Sequence, residues 1–274
     1  MAYFRQERLN DHLVDIHGIT DEQMYLVTGR TRAFLIDTGC GFGDLKEEVS
    51  SLTSLPVTVI LTHGHTDHAM GAGAFSDVYM NPLDIPVFAQ HADPEYRKQY
   101  VLSAPGCPAD IVDHMVPAPD ARGFHELAGG QVFRDGDLSL QVFSCPGHTK
   151  GSMCVLLPED RILITGDACN PAAFLFFDHS TGIRTYQESL IALKKKVDGR
   201  YDRVRFSHGN VEGGTQVLDE AIELCDEIRE GRADDVPFAF LGQKAWIAKA
   251  IGPDLMRTDG KMANIVYDRN RIEE

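Results

Sequence analysis

Apolar positions in the first two thirds of the chain come as short runs closed by turn residues. MYLVTGRTRAFLIDTG (24–39) reads as two strands around the turn Gly29-Arg30-Thr31-Arg32. VTVILTH (57–63) is an unbroken, β-branched run that predicts a buried strand. LSLQVFSCPGHT (138–149) predicts a strand stopped at Pro146-Gly147. MCVLLPEDRILITGD (153–167) predicts a hairpin through Pro158-Glu159-Asp160, and RVRFSHG (203–209) one more short strand. Elsewhere the apolar spacing is helical. TYQESLIALKKKV (185–197) sets Leu190, Ile191 and Leu193 among polar residues. In TQVLDEAIELCDEIREG (215–231), Val217, Ala221, Leu224, Cys225 and Ile228 share one face, and Gly231 ends the run. Strands with interspersed helices predict an α/β or α+β chain. Nothing reads as a linker, so residues 1–274 are expected to form a single domain.

The polar residues that close the strands organise the rest. Four strands end in a potential metal ligand, His63, His148, Asp167 and His208, and a fifth ends in Asp37. Strand ends that converge on one rim are a common place for a site carried by loops on a rigid scaffold. The densest stretch is ILTHGHTDHAMGA (60–72), which crowds His63, His65, Asp67 and His68 onto one turn. Residues two apart do not face each other on a helix. On an irregular loop they can, and Gly64 permits the tight backbone path. Imidazole nitrogen and carboxylate oxygen both suit zinc or iron. Alone, His148 or His208 would be an ordinary core or surface histidine. Together with the cluster they bring the candidate ligands to seven, a set that fits two ions sharing a bridging carboxylate.

Composition narrows the classes. Hydrophobic residues make up 43%, enough for a full core. No stretch approaches the ~20 apolar residues of a membrane span. The N-terminus MAYFRQERLN has no basic region followed by an apolar run, so no signal peptide is expected. The six cysteines form no CxxC pair and read as free thiols in a reducing compartment, the cytoplasm by default. Cys169 is read as one such buried thiol. A net charge of −15 argues against nucleic acid and anionic membrane partners.

The order LIDTG, THGHTDH, PGHTKGS, TGD, SHG resembles the five motifs of the metallo-β-lactamase superfamily. The resemblance spans Asp37 to His208. It implies a four-layer αβ/βα sandwich with the site at one edge of two packed sheets. It implies that His63, His65 and His148 hold one divalent ion, that Asp67, His68 and His208 hold a second, and that Asp167 bridges them. Asp37 would stand behind the ligands, orienting one of them or their loop. Zinc is the expected metal, with iron or manganese compatible. An aspartate at position 167 resembles the glyoxalase II-like and lactonase-like branch more than the antibiotic-degrading one. The implied activity is that of a metal-dependent hydrolase, which uses hydroxide generated at the dinuclear site to cleave an activated carbonyl in a small thioester, ester or lactone. Asp67 would also shuttle a proton to the leaving group. The alternatives are phosphodiester hydrolysis at the same two ions and a non-catalytic metal-binding or sensor protein.

Two further stretches bear on substrate. Residues 92–127, between the second and third motifs, read as an insertion of short helices and loop, either a cover over the site or a plain surface excursion. Tyr96, Tyr100 and Met115 are its candidate wall residues. His91, His114 and His125 read as solvated or structural. NPAAFLFFDHSTGIRTY (170–186) leaves the third ligand motif directly. Its apolar run has no clean period, so it is either core or a pocket wall. The pocket reading places Phe174, Phe176 or Phe177 along the substrate and His179 near the mouth.

Overall fold

The structure, a computed structural model, describes residues 3–105, 107–209 and 212–274. The chain divides into two compact units. The first comprises Met1–Ala128, Phe133–Ser139 and Ser207–Gly209; the second comprises Gly129–Val132, Leu140–Phe206 and Asn210–Glu274.

The first unit is built on a seven-stranded sheet in sequence order. Strands β1 (Arg5–Arg8), β2 (Leu13–His17), β3 (Gln23–Thr28) and β4 (Ala33–Ile36) form an antiparallel meander. Strands β5 (Val57–Ile60), β6 (Val78–Met80) and β7 (His125–Glu126) continue it in parallel. Parallel neighbours need crossovers, and helices supply them. α1 (Leu45–Leu52) starts where Asp44 accepts the Glu47 N–H at 2.9 Å, and it buries Leu45 and Val49. α2 (Thr66–Ala69) is a single turn directly after the histidine loop. α3 (Ile85–His91) and α4 (Pro94–Ser103) follow β6. Asp93 caps α4 through the Glu95 and Tyr96 N–H groups, with Pro94 in the first turn. The core under this sheet joins Val14, Ile16, Met24, Leu26, Leu35 and Val59 to α1 and to Phe88 of α3.

The chain passes between the units along β8 (Val132–Asp135) and β9 (Leu138–Ser144). In the second unit, β9 pairs with β10 (Met153–Leu157), which pairs with β11 (Ile162–Gly166) in the expected hairpin. β12 (Ala173–Leu175) leads into α5 (Ile183–Val197). β13 (Arg203–Phe206) lies parallel to β11, and β14 (Glu212–Gly214) pairs with β13. α6 (Val217–Arg229) buries the face read from its spacing, and Gly231, at φ +70°, closes it in a conformation that favours glycine. β15 (Val236–Phe240), β16 (Gln243–Ile247) and β17 (Ile265–Tyr267) join β12 in a four-stranded sheet. Alternation splits that sheet in two. Ala173, Leu175, Ile265 and Tyr267 enter the core with α5 and α6. Phe174, Val266, Ala245 and Ile247 gather on the other face with Phe238 and Phe240. No helix of the described residues is long and apolar enough to cross a membrane.

Candidate metal centre

The first unit carries Asp37, His63, His65, Asp67, His68 and His208. The parallel strands β4 and β5 end side by side, Ile36 against Ile60, so Asp37 and the histidine loop leave the sheet together. Gly64 is required by close approach: a Cβ there would lie 2.8 Å from the Asp84 carbonyl, and its N–H donates to Asp84 Oδ2 at 2.9 Å. Asp37 has φ +61°, a left-handed conformation that aspartate tolerates better than most residues. Three bonds hold it there. Oδ1 accepts the Thr62 N–H at 2.7 Å, and Oδ2 accepts the Thr62 hydroxyl at 2.7 Å and His68 Nδ1 at 2.8 Å. A carboxylate only accepts, so Nδ1 of His68 carries a proton and Nε2 is its other ring nitrogen.

That nitrogen faces Asp67. Asp67 Oδ2 lies 3.6 Å from His68 Nε2 and 3.1 Å from His208 Nε2. His208 reaches this place because Glu22 pairs with it in an isolated bridge and Gln23 donates its N–H to the Ser207 carbonyl at 2.8 Å. Burial raises the Asp67 carboxyl, yet the His68 charge and the hydrogen bonds from His208 and His68 hold it well below the usual carboxylate range. His63 Nε2 and His65 Nδ1 come within 3.1 Å of each other. Within hydrogen-bond distance of each other and with both rings buried, these two nitrogens could also bind one cation. The donors therefore fit divalent metal: nitrogen and carboxylate oxygen, oriented from behind, on a loop whose path is set by its neighbours.

The second unit carries His148, Asp167 and the phenylalanine segment. His148 Nδ1 donates to the Phe174 carbonyl at 2.8 Å, and its Nε2 lies 3.6 Å from Asp167 Oδ2. The segment after Asp167 is neither wholly core nor wholly wall. Phe176 is buried with Ala245, Ile247 and Val266, while Phe174 and Phe177 are half-buried. The Phe177 ring lies 6.4 Å from that of His148, and His179 stacks on Phe177 at 5.1 Å. Cys169 is buried in the core with Tyr186.

Helices α3 and α4 also reach the histidine loop. His91, read as structural, is buried and stacks on His65 at 4.4 Å, with its Nδ1 accepting the Thr66 N–H at 3.3 Å. Tyr96 packs on His91 at 4.5 Å. The Tyr100 hydroxyl donates to Asp67 Oδ2 at 2.7 Å. Burial and the Asp67 charge push the Tyr100 phenol well above its usual value, so it stays a donor. Met115, the other candidate wall residue, packs beside Cys40, Phe42 and Ile111 instead. Sequence reasoning passed over Glu22, Gln23, Thr62 and Arg97. Their one signal is a polar side chain, which many solvated faces share.

A family model described as the metallo-beta-lactamase superfamily matches residues 18–208, and the chain belongs to that superfamily. It is similar to the acyl-coenzyme A thioesterase MBLAC2 of Gallus gallus, at 26% identity over 207 residues, covering 71% of this chain and 74% of the relative. The atrochrysone carboxyl ACP thioesterase AgnL7 of Paecilomyces divaricatus is 29% identical over 147 residues, covering 52% of this chain and 38% of its own length. Among solved structures, a metallo-beta-lactamase from Pontibacter korlensis superposes with a TM-score of 0.61 at 19% identity, over 80% of this chain and 97% of that one. The chain thus has the metallo-beta-lactamase fold and is a metallo-hydrolase.

Proposed function

We propose that this protein hydrolyses a small acyl thioester at two divalent ions, zinc by preference. His63, His65 and His148 would hold one ion, Asp67, His68 and His208 the other, with Asp167 shared between them. The observation that carries the reading is the orientation of the ligand atoms. His68 and His148 each spend Nδ1 on a protein acceptor, Asp37 Oδ2 and the Phe174 carbonyl, and each turns Nε2 toward an aspartate, Asp67 and Asp167 respectively. When bound, such ions supply Lewis acidity and a nucleophilic hydroxide near neutral pH. The residues do the rest. Asp67 holds a carboxylate oxygen beside His208 and accepts a proton on its way to the leaving group. Phe174 and Phe177, half-buried next to His148, take the acyl portion, with His179 against Phe177 at the edge of that surface.

The choice of a thioester over other activated carbonyls is supported by the relatives named as thioesterases. Six free cysteines suit a reducing compartment such as the cytoplasm. The test is an activity panel on metal-loaded protein: an acyl-coenzyme A, a lactone, a β-lactam and a bis-phosphodiester. Fastest turnover is expected on the thioester, with loss on chelation. Turnover confined to the phosphodiester would replace this reading, and no turnover of any substrate by protein carrying two ions would favour a sensor.

A further inference from the structure

We infer that Tyr100, on the inserted helix α4, is a positioning residue that sets the rotation of the Asp67 carboxylate toward the second metal ion. The inference rests on the two-ion reading above and adds a residue outside its ligand set. Asp67 sits on the single turn α2, and the last side-chain torsion of an aspartate is broad and roughly two-fold. Left alone, that carboxylate would present either oxygen in many orientations. The Tyr100 hydroxyl donates to Oδ2 at 2.7 Å, and Oδ2 is the oxygen that also lies 3.1 Å from His208 Nε2 and 3.6 Å from His68 Nε2. One oxygen thus meets two ligand nitrogens on one side and a phenol on another, which defines the carboxylate plane.

The phenol can do this because α4 is clamped. Arg97, 1% exposed and one turn before Tyr100, donates Nη1 to the Val116 carbonyl at 2.9 Å. Its Nη2 donates to the carbonyls of Cys40 and Gly41 at 3.2 and 3.0 Å. Gly41, at φ +70°, leaves room for that guanidinium, since a Cβ there would lie 2.7 Å from Nη2. The loop it grips follows Asp37, so α4, the Asp37 loop and Asp67 form one connected frame. Tyr100 shares the buried face of α4 with Arg97, three residues apart. An ordinary half-buried tyrosine also seeks an acceptor for its hydroxyl. What separates the two roles is whether its loss falls on one ion or on the fold.

The experiment compares wild type and Tyr100→Phe, which keeps the ring and removes only the hydroxyl. Apo protein is titrated with Zn²⁺ against a chromogenic chelator, and melting is followed on the same samples. The expected result is two ions in the wild type and, in the variant, a ~10–100-fold weaker affinity for one ion with the other unchanged, the range typical of outer partners of a ligand. The apo melting temperature should move little. Equal affinities for both ions in the two proteins would overturn the inference and leave the two-ion reading standing. Parallel weakening of both ions with a lower melting temperature would assign Tyr100 to the fold and overturn it as well. A wild type that binds fewer than two ions would overturn the two-ion reading itself, and this inference with it.

Discussion

Asp37 Oδ2 accepts Nδ1 of His68 at 2.8 Å, across 31 residues of sequence. Asp37→Asn keeps the shape and puts an amide where the carboxylate stood. An amide N–H opposite His68 Nδ1 would favour the other tautomer and remove Nε2 as a ligand. We expect the protein to fold while affinity for one ion falls ~10–100-fold. Metal content after dialysis against chelator, read beside circular dichroism, checks this. Loss of folding would show that the three bonds of Asp37 serve the loop rather than the ligand.

Asp167 and His208 should separate the two ions. Under the proposed assignment, Asp167→Ala disturbs both, and His208→Ala empties mainly one. Elemental analysis of the two purified variants decides it. Equal loss in both would contradict the bridging role of Asp167.

Phe177 and His179 stack on each other beside His148. If they meet the acyl group, Phe177→Ala and His179→Ala should change the ratio of kcat/KM between short and bulky thioesters. Metal content and melting temperature should stay near wild type. Removing one apolar contact of this kind is worth about 1–3 kcal/mol of discrimination, a ~10–200-fold change in the ratio. Variants that melt early and treat all substrates alike would place the pair in the packing of the C-terminal sheet.

Arg97 makes three bonds to backbone carbonyls from a buried position. Arg97→Ala leaves those carbonyls without the guanidinium, at about 1–3 kcal/mol for each that finds no substitute. We expect a drop in apo melting temperature of roughly 6–12 °C for a net loss of about 3 kcal/mol. Thermal denaturation of apo protein measures it. An unchanged melting temperature would mean that water or a neighbour replaces the side chain.

The thiols give a pH test. Burial pushes the Cys169 and Cys225 thiols up, and at Cys107 burial followed by the Glu22 and Asp110 charges acts the same way. A raised thiol pKa lowers the thiolate fraction at any pH below it, so alkylation should be slow at neutral pH and quicken as pH rises. Cys107 is half-buried, whereas the other five cysteines are buried. Native protein treated with iodoacetamide should be labelled at Cys107 first and elsewhere only after denaturation, as peptide mass spectrometry would report. Rapid native labelling of Cys169 at neutral pH would contradict its burial.

Strands β3, β4, β5, β9, β10, β11 and β13 and the two long helices were legible in the chain, as were the candidate ligands by residue type; β1, β2 and the C-terminal strands β15 to β17 were not. Periods of 2 and 3.6 are local, and α6 ends at Arg229 just before the glycine that its sequence offered. So is the chemistry of a histidine cluster at a strand end, since few folds tolerate His63, His65, Asp67 and His68 together without something to bind. What the sequence could not state is which nitrogen of each candidate ligand is held by the protein. That depends on Asp37 for His68 and on the Phe174 carbonyl for His148, partners 31 and 26 residues away. Nor could it rank the phenylalanines, because Phe176 is covered by β16 and β17, strands that lie some seventy to ninety residues later. Tyr100 read only as a candidate wall residue; its bond to Asp67, 33 residues back, lies on a helix that Arg97 ties to the Val116 carbonyl. Residue type and spacing carry the local rules. Tertiary structure alone decides which distant group takes each hydrogen bond, and so which ring nitrogen and which carboxylate oxygen are offered to a metal.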